Sequence, residues 1–590
     1  MRYSPLDQIT RDNVDQLKVA WEFDTGDSSD GEGEYPYRSA FEATPLVVDG
    51  ALYIVSPFHR LFALDAVTGE QRWMFDSDLD RTDRVTLYLS RGASYWSDGE
   101  HKRVLLGNQD GLLFSIVAET GKLDPDFGDN GRLDLTSGMV EGRDGQYGLT
   151  SPVALCRDTV ITGSWVSDGL PRGPSGDVRG FDVRSGKLKW RFHTVPHPGE
   201  FGAETWQGDS WKDRGGVNAW STITVDPENG LAYLPLTSPS IDFYGGDRKG
   251  DNLFSDSLVA LDCETGERRW HFQTIHHDLW DWDLPAAPNL VTLVRDGAEV
   301  PAVVQIAKTG FIFVFNRLTG EPLFPIEERP VPQGDIPGER YSPTQPFPTK
   351  PPPFARQQMT RDEITDVTPE SRAECLEMLA EAQVEGPIFR PIGREPTVMF
   401  PGTNGGANWG GGSFDPDTDT LYVNSMDVGA LFRIVEREGG DPPWRNRGTP
   451  KGRLWDSNQY PCQEPPWGHL TAIDLNTGEF RWRAILGELD ELTARGVPKT
   501  GAPNLGGSVV TKGGLVFIAA TNDDRFRAFD KDTGEQVWET RLPASGHASP
   551  MSYLGADGRQ YVAIAAGGGN KYNKKFIAKL MVFALPKAAE

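Results

Sequence analysis

Only four cysteines occur in 590 residues, and none stands in a CxxC or CxxCH spacing. That scarcity disfavours a zinc ribbon, a thioredoxin-like redox pair and covalently attached haem, so any haem must lie on another protein. Cys156 and Cys263 lie in apolar, strand-like runs and read as small core residues, whereas Cys375 and Cys462 lie in irregular segments where pairing is open. Long apolar runs are missing too: none approaches the roughly 18 to 20 residues that span a bilayer. The opening Met1-Arg-Tyr-Ser-Pro-Leu6 has no apolar signal region, so the chain reads as mature or trimmed and soluble. Positive charge is scarce as well. With 59 Lys and Arg against 85 Asp and Glu, the formal net charge is −26, which repels phosphate backbones and anionic membranes and argues against nucleic acid as a partner.

Glycine, proline and tryptophan are plentiful, at 66, 44 and 17 residues, the composition of a globular chain rich in turns. Its length allows several domains or one repeat architecture, and repeats decide. A small residue, Asp two positions on, Thr or Ser followed by Gly, and then Trp recur as Ala63-Leu-Asp-Ala-Val-Thr-Gly-Glu-Gln-Arg-Trp73. The pattern returns at Gly180 to Trp190, Ala260 to Trp270, Ala472 to Trp482 and Ala528 to Trp538. Degenerate copies run from Ser115 to Gly121 and from Val314 to Phe324. Each copy reads as strand, turn, strand: Asp and Thr bond the turn backbone, Gly supplies positive φ, and Trp docks on a neighbour.

Flanking runs such as Ala51 to Val55, Gly514 to Ala519 and Tyr561 to Ala565 supply further short strands. Four strands per repeat predict an all-β propeller. Val19 to Phe23 as an outer strand beside Leu580 to Ala584 would complete an eighth blade and close the ring, removing free edges. The whole of 1–590 is then one eight-bladed domain. Its main interruption, at about 325–396, holds Pro-rich stretches and then a helix start at Thr368-Pro369 with apolar residues at helical spacing to Ala382. It reads as an insertion covering one face.

The chemistry concentrates in His271-Phe-Gln-Thr-Ile-His-His-Asp-Leu-Trp-Asp-Trp-Asp283. Buried carboxylates need a partner or a metal, so Asp278, Asp281 and Asp283 beside Trp280 and Trp282 suggest a shaped polar site. The bland alternative is a solvated loop on a sheet edge.

Tryptophan-docked repeats with His276-His-Asp-Leu-Trp-Asp281 directly after a clear copy resemble the quinoprotein dehydrogenases, eight-bladed enzymes that use pyrroloquinoline quinone (PQQ). Ser4-Pro-Leu-Asp-Gln-Ile9, Leu61-Phe-Ala-Leu-Asp65, Trp270-His-Phe-Gln-Thr274 and Pro465-Pro-Trp-Gly468 are most similar to the propeller domain of the membrane-bound glucose and quinate dehydrogenases.

That resemblance implies a cofactor bearing carboxylates and an ortho-quinone. Its contacts fall on Glu42, Arg91, Thr150, Lys308, Asn408 and Trp409, with Trp220 as the flat floor. Arg91 suits bidentate pairing with a carboxylate, and an indole face suits stacking. A divalent cation is implied on Asp168, Ser238 and Asp281; hard oxygen donors favour Ca²⁺, with Mg²⁺ as the other candidate. Ser238 stands where the alcohol-oxidising members carry asparagine. Their adjacent cysteine pair would fall on Val85-Thr86, and the glucose branch's cofactor histidine near Leu87, so both are absent here.

The resemblance implies oxidation of a hydroxyl on a sugar, polyol or related alcohol. Asp281 acts as base and Lys308 as the stabilising cation, with His276 and His277 as the weaker candidates for the base. Electrons would pass to an external acceptor, a cytochrome c or a quinone, in a periplasmic setting. The rival from another class is a cofactor-free propeller scaffold that binds proteins.

Overall fold

The computed structural model describes residues 2–587 apart from 83–84, 141–145, 296, 449–452 and 570–571. Each repeat folds as an antiparallel meander. In the first, Leu46–Val48, Ala51–Val55, Arg60–Asp65 and Gln71–Asp76 lie side by side in chain order. Among the described residues eight sheets of this kind follow one another. Six have four strands, the one with Asn289–Arg295 has three, and the one with Ser508–Thr511 has five because Tyr3–Ser4 joins it in parallel. The fold is all-β, with α-helix confined to Pro369–Met378 and Asp490–Ala494 among the described residues.

The motif explains the stacking. Asp65 Oδ1 accepts the N–H groups of Val67 and Thr68 at 2.9 and 3.0 Å, closing the turn whose Gly69 sits at φ 76°. The small residue faces the tryptophan across the ladder, as Ala63 faces Trp73 and Gly180 faces Trp190. In all five clear copies the register slips just after that pair.

Each indole then reaches the next repeat. Trp73 Nε1 donates to the Ala118 carbonyl at 3.0 Å and its ring covers Gly121, where a Cβ would meet ring carbons at 2.7 Å. Trp190, Trp270 and Trp482 do the same over Gly266, Gly320 and Gly534, donating to the carbonyls of Cys263, Arg317 and Lys531 at 2.8 to 2.9 Å. In the degenerate copy Phe324 stands beside Gly478 instead. A buried aromatic contributes roughly 1.5–3 kcal/mol, so each sheet is stabilised chiefly by its neighbours. Lys18–Asp24 pairs with Phe576–Ala584, Val19 opposite Phe583 and Phe23 opposite Leu580, and Trp21 covers Gly69 of the first repeat.

Between 325 and 396 the chain forms a hairpin of Ile326–Pro330 and Thr344–Pro348, then the helix Pro369–Met378. The Thr368 side chain caps that helix by accepting the Ser371 N–H at 3.1 Å. The helix stops before Ala382 because the chain turns out to let Gln383 N–H bond the Pro396 carbonyl at 2.8 Å. A disulfide joins Cys375 on this helix to Cys462. Cys156 and Cys263, read above as separate core residues, are also joined. Their apolar strand pattern signalled burial, and both are fully buried, but the partner lies 107 residues away in the neighbouring sheet, where no local pattern reveals it.

Candidate active site

In an antiparallel meander the start of the first strand and the end of the second lie at the same end. The predicted residues occupy those two places sheet after sheet. Glu42, Arg91, Thr150, Trp220 and Asn408 each stand three or four residues before a first strand, those beginning at Leu46, Ser94, Ala154, Thr224 and Gly412. Ser238 and Lys308 follow the second strands Leu231–Pro235 and Ala298–Ile306. One end of the assembly therefore collects them around a cavity of about 200 Å³, lined by every predicted site residue: Glu42, Arg91, Thr150, Asp168, Trp220, Ser238, Asp281, Lys308, Asn408 and Trp409.

Lys308 anchors one wall. Its Nζ donates to Asp281 Oδ1 at 2.9 Å and to the Asp281 carbonyl at 2.8 Å, and lies 3.0 Å from Asp283 Oδ2. Asp283 is fully engaged: Trp220 Nε1 donates to its Oδ2 at 3.1 Å, and Ser238 N–H and Oγ–H reach its Oδ1 at 3.0 and 3.2 Å. Burial opposes ionisation of Asp283, but Lys308 and these donors outweigh it and hold the carboxyl below its ordinary range. Asp281 differs. Its Oδ2 accepts no hydrogen bond among the described residues, and 25% of its side chain stays open, toward the cavity. Burial pushes Asp281 up to about 8 against the pull of Lys308, with Asp283 and Asp168 adding to the rise. Burial would lower Lys308, yet the two carboxylates raise it, so it stays an ammonium.

Arg91 forms the other pole. Its Nη2 lies 3.0 Å from Glu42 Oε2, its Nη1 donates to Thr150 Oγ1 at 3.0 Å, and its guanidinium carbon sits 4.9 Å from the Trp220 ring centre and 5.1 Å from that of Trp409. Asn408 Nδ2 donates to the Asn404 carbonyl at 2.8 Å while its Oδ1 accepts the Trp409 N–H at 2.8 Å, fixing that corner. Thr86, Leu87 and Leu89 line the cavity where the expected cysteine pair and histidine are missing.

The rest of the loop is scaffold. Asp278 accepts the N–H groups of Trp280 and Trp282 at 2.8 and 3.0 Å, and those two indoles stack at 5.3 Å. His276 and His277, the weaker base candidates, do not line the cavity. His277 lies between the Gly250 carbonyl at 2.7 Å and Glu339 at 2.9 Å, and His276 between Gln273 and Glu328. Phe389 packs edge-on against both indoles. Residues 325–396 thus grip this loop from outside, and none of them lines the cavity.

Sequence reasoning missed Asp242, which lines the cavity 3.4 Å from Ser238 Oγ. Burial, then Asp281, Asp168 and Asp283, push its carboxyl well above the ordinary range. Its signal was positional, since it shares with Ser238 the connection after a second strand. Gln109, also missed, holds the wall by donating to the Leu87 carbonyl at 2.9 Å. Among the described residues no three His, Cys, Asp or Glu side chains gather into a metal shell of their own.

A family model described as "PQQ: Glucose/ethanol/alcohol dehydrogenase, beta-propeller domain" matches residues 1–562. The chain is 35% identical over 630 residues to the quinoprotein glucose dehydrogenase of Escherichia coli, covering 99% of this chain and 77% of that protein. It is 33% identical over 623 residues to the quinate/shikimate dehydrogenase (quinone) of Acinetobacter baylyi, with 97% and 76% covered. To the glycerol dehydrogenase large subunit of Gluconobacter thailandicus it is 35% identical over 631 residues, with 100% and 84% covered. Among solved structures, the quinohemoprotein alcohol dehydrogenase of Comamonas testosteroni matches at a TM-score of 0.73 and 25% identity, over 100% of this chain and 79% of that one.

Proposed function

The chain belongs to the PQQ-dependent glucose/ethanol/alcohol dehydrogenase family of β-propellers, and from that premise we propose that it oxidises a hydroxyl of a sugar, polyol or related alcohol and passes the electrons to an external acceptor. The observation that carries this reading is Asp281: a carboxylate with one oxygen held by Lys308 and the other open to a cavity walled by Trp220 and Arg91.

The residues present fit the cofactor. Among the described residues Arg91 keeps its Nε buried without a hydrogen-bond partner, a donor available to an anionic group. Trp220 is fixed through its N–H and leaves its ring on the cavity. Glu42, Thr150, Asn408 and Trp409 would complete the holding set. Asp168, Ser238 and Asp281 would hold a divalent cation, calcium by preference, their hard oxygens lying on a wall with more acids than bases. When bound, PQQ supplies the two-electron acceptor and the cation supplies Lewis acidity.

Asp281 takes the proton of the substrate hydroxyl at Oδ2 as the carbon gives up its hydride, leaving a carbonyl compound. Lys308 keeps the carboxylate oriented and balances the charge that builds beside it. Asp283 takes no proton; it positions Trp220 and Lys308.

The eight meanders are read as eight blades. The run of docked aromatics supports a ring in which the sheet joining both termini meets the first repeat through Trp21. Residues 325–396 serve as a brace on the site loop. Four cysteines in two disulfides support an oxidising compartment, the periplasm. Nothing in the geometry favours a cofactor-free scaffold.

Titrating apo-protein with PQQ, with and without Ca²⁺, tests the reading. Metal-coupled binding, followed by dye-linked oxidation of glucose, glycerol or ethanol, is expected; no binding in either condition rejects it.

A further inference from the structure

Two short strands lead into the cavity. Ser39–Phe41 runs up to Glu42 and Tyr88–Ser90 up to Arg91, and the two pair in parallel with Phe41 opposite Ser90. The residue after each strand is therefore delivered beside the other, and Arg91 Nη2 meets Glu42 Oε2 at 3.0 Å. A two-stranded pair leaves open edges, and here the edge lies inside the protein, with Leu87 and Leu89 buried. Tyr88 N–H donates to the Arg38 carbonyl at 2.9 Å, so the Leu87 carbonyl and the Leu89 N–H face away from the partner strand. Buried backbone groups need partners.

Gln109 supplies them. It stands between Lys102–Gly107 and Leu112–Val117, where its Nε2 donates to the Leu87 carbonyl at 2.9 Å and its Oε1 accepts the Leu89 N–H at 3.3 Å. One side-chain amide thus bonds the carbonyl of one residue and the N–H two positions on, as a third parallel strand would. Two contacts fix it. His59, fully buried between Ala51–Val55 and Arg60–Asp65, faces Gln109 Oε1 with Nε2 at 3.3 Å and the Gly107 carbonyl with Nδ1 at 3.0 Å. Gly148 packs so closely that a Cβ there would come within 2.2 Å of the Gln109 carbonyl oxygen. Gln109 lines the cavity, yet these bonds run to the protein itself and do not depend on what the cavity holds.

Resting on the dehydrogenase reading above, we infer that Gln109 is a positioning residue for cofactor capture, its amide acting as a one-residue strand that holds Tyr88–Ser90 in place and so aims Arg91 into the cavity. A guanidinium grips an anion through two parallel bonds only in the right orientation.

Gln109→Met keeps the length of the side chain and removes both bonds. Titrated with PQQ in the presence of Ca²⁺, it should bind about tenfold more weakly than the parent, but only about twofold more weakly when both proteins already carry Arg91→Lys, because the effect runs through Arg91. Val104→Ala, on the strand before Gln109 and fully buried, should lower Tm and leave PQQ affinity within about twofold, separating positioning from general loosening. Unchanged affinity in Gln109→Met, the same loss in both Arg91 backgrounds, or an equal loss in Val104→Ala overturns the inference. A parent that binds no PQQ rejects the dehydrogenase reading alone, and hydrogen exchange of the apo-protein then decides the role of Gln109. In Gln109→Met the amides of residues 88–91 should exchange at least about tenfold faster while those of Ala51–Val55 keep the parental rate; unchanged exchange at 88–91 overturns the brace.

Discussion

His277 of the site loop and Glu339 of the 325–396 segment meet at 2.9 Å, Nε2 to Oε1, with both side chains only 1% exposed. Glu339 also accepts the Gly245 N–H at 2.6 Å, and the other ring nitrogen of His277 faces the Gly250 carbonyl at 2.7 Å. Four residues further on, Asp281 sits at φ 58°, a left-handed conformation that a non-glycine residue keeps only when its surroundings hold it. The pair is one of those holds, together with Asp278 and the stacked indoles.

Glu339→Ala should therefore lower kcat by about tenfold or more while KM and PQQ affinity change little, because the substrate contacts remain and only the base is displaced. Leaving buried His277 unpaired should also cost about 1–3 kcal/mol of stability. Glu339→Gln, which keeps a hydrogen bond, should recover part of both. Equal losses of kcat and cofactor binding in the two variants would assign the pair to folding alone.

Asp281→Asn should retain PQQ and drop turnover by roughly 10² to 10⁴, the range for losing a general base. Asp278→Asn and Asp283→Asn are not silent comparisons. The first loosens the loop, and the second frees Trp220 and Lys308, so weaker cofactor binding is expected for Asp283→Asn. Near-parental turnover in Asp281→Asn would remove it from the mechanism.

Acid should unfold this protein through its repeats. Asp65, held to about 2 chiefly by its hydrogen bond from Arg72, is joined by Asp182, Asp262, Asp474 and Asp530, in which turn N–H groups and neighbouring donors outweigh burial and depress the carboxyl. Because these folded-state values lie below the unfolded ones, the stability they contribute is complete above about pH 4 and is lost as pH falls through the folded values. Calorimetric Tm should fall steeply between about pH 4 and 2, and less steeply in a variant with two of the five changed to Asn. A Tm that is flat over that interval would contradict the linkage.

Trp21→Ala should cost about 3–5 kcal/mol, the usual price of removing a buried aromatic, because Trp21 is 8% exposed and covers Gly69. Denaturant melts would measure it. A loss below about 1 kcal/mol would mean that the contact between the two ends of the repeat series carries no stability.

The sequence by itself determined the strands, the turns and the tryptophans that dock, because the pattern marking each of them spans only about a dozen positions. Ala63 leaves room for Trp73, Asp65 closes its turn, and Gly69 accepts the neighbouring indole. The similarity also singled out residues that line one cavity. Tertiary structure alone decided their roles. Asp281 and Asp283 are two residues apart and chemically identical, yet one has an oxygen open to the cavity while the other is saturated by Trp220, Ser238 and Lys308. Trp220 and Ser238 come from one sheet and Lys308 from the next, and the partners of Cys156 and His277 lie 107 and 62 residues away. Burial and charge crowding are sums over groups that only folding brings together, so no local pattern carries them.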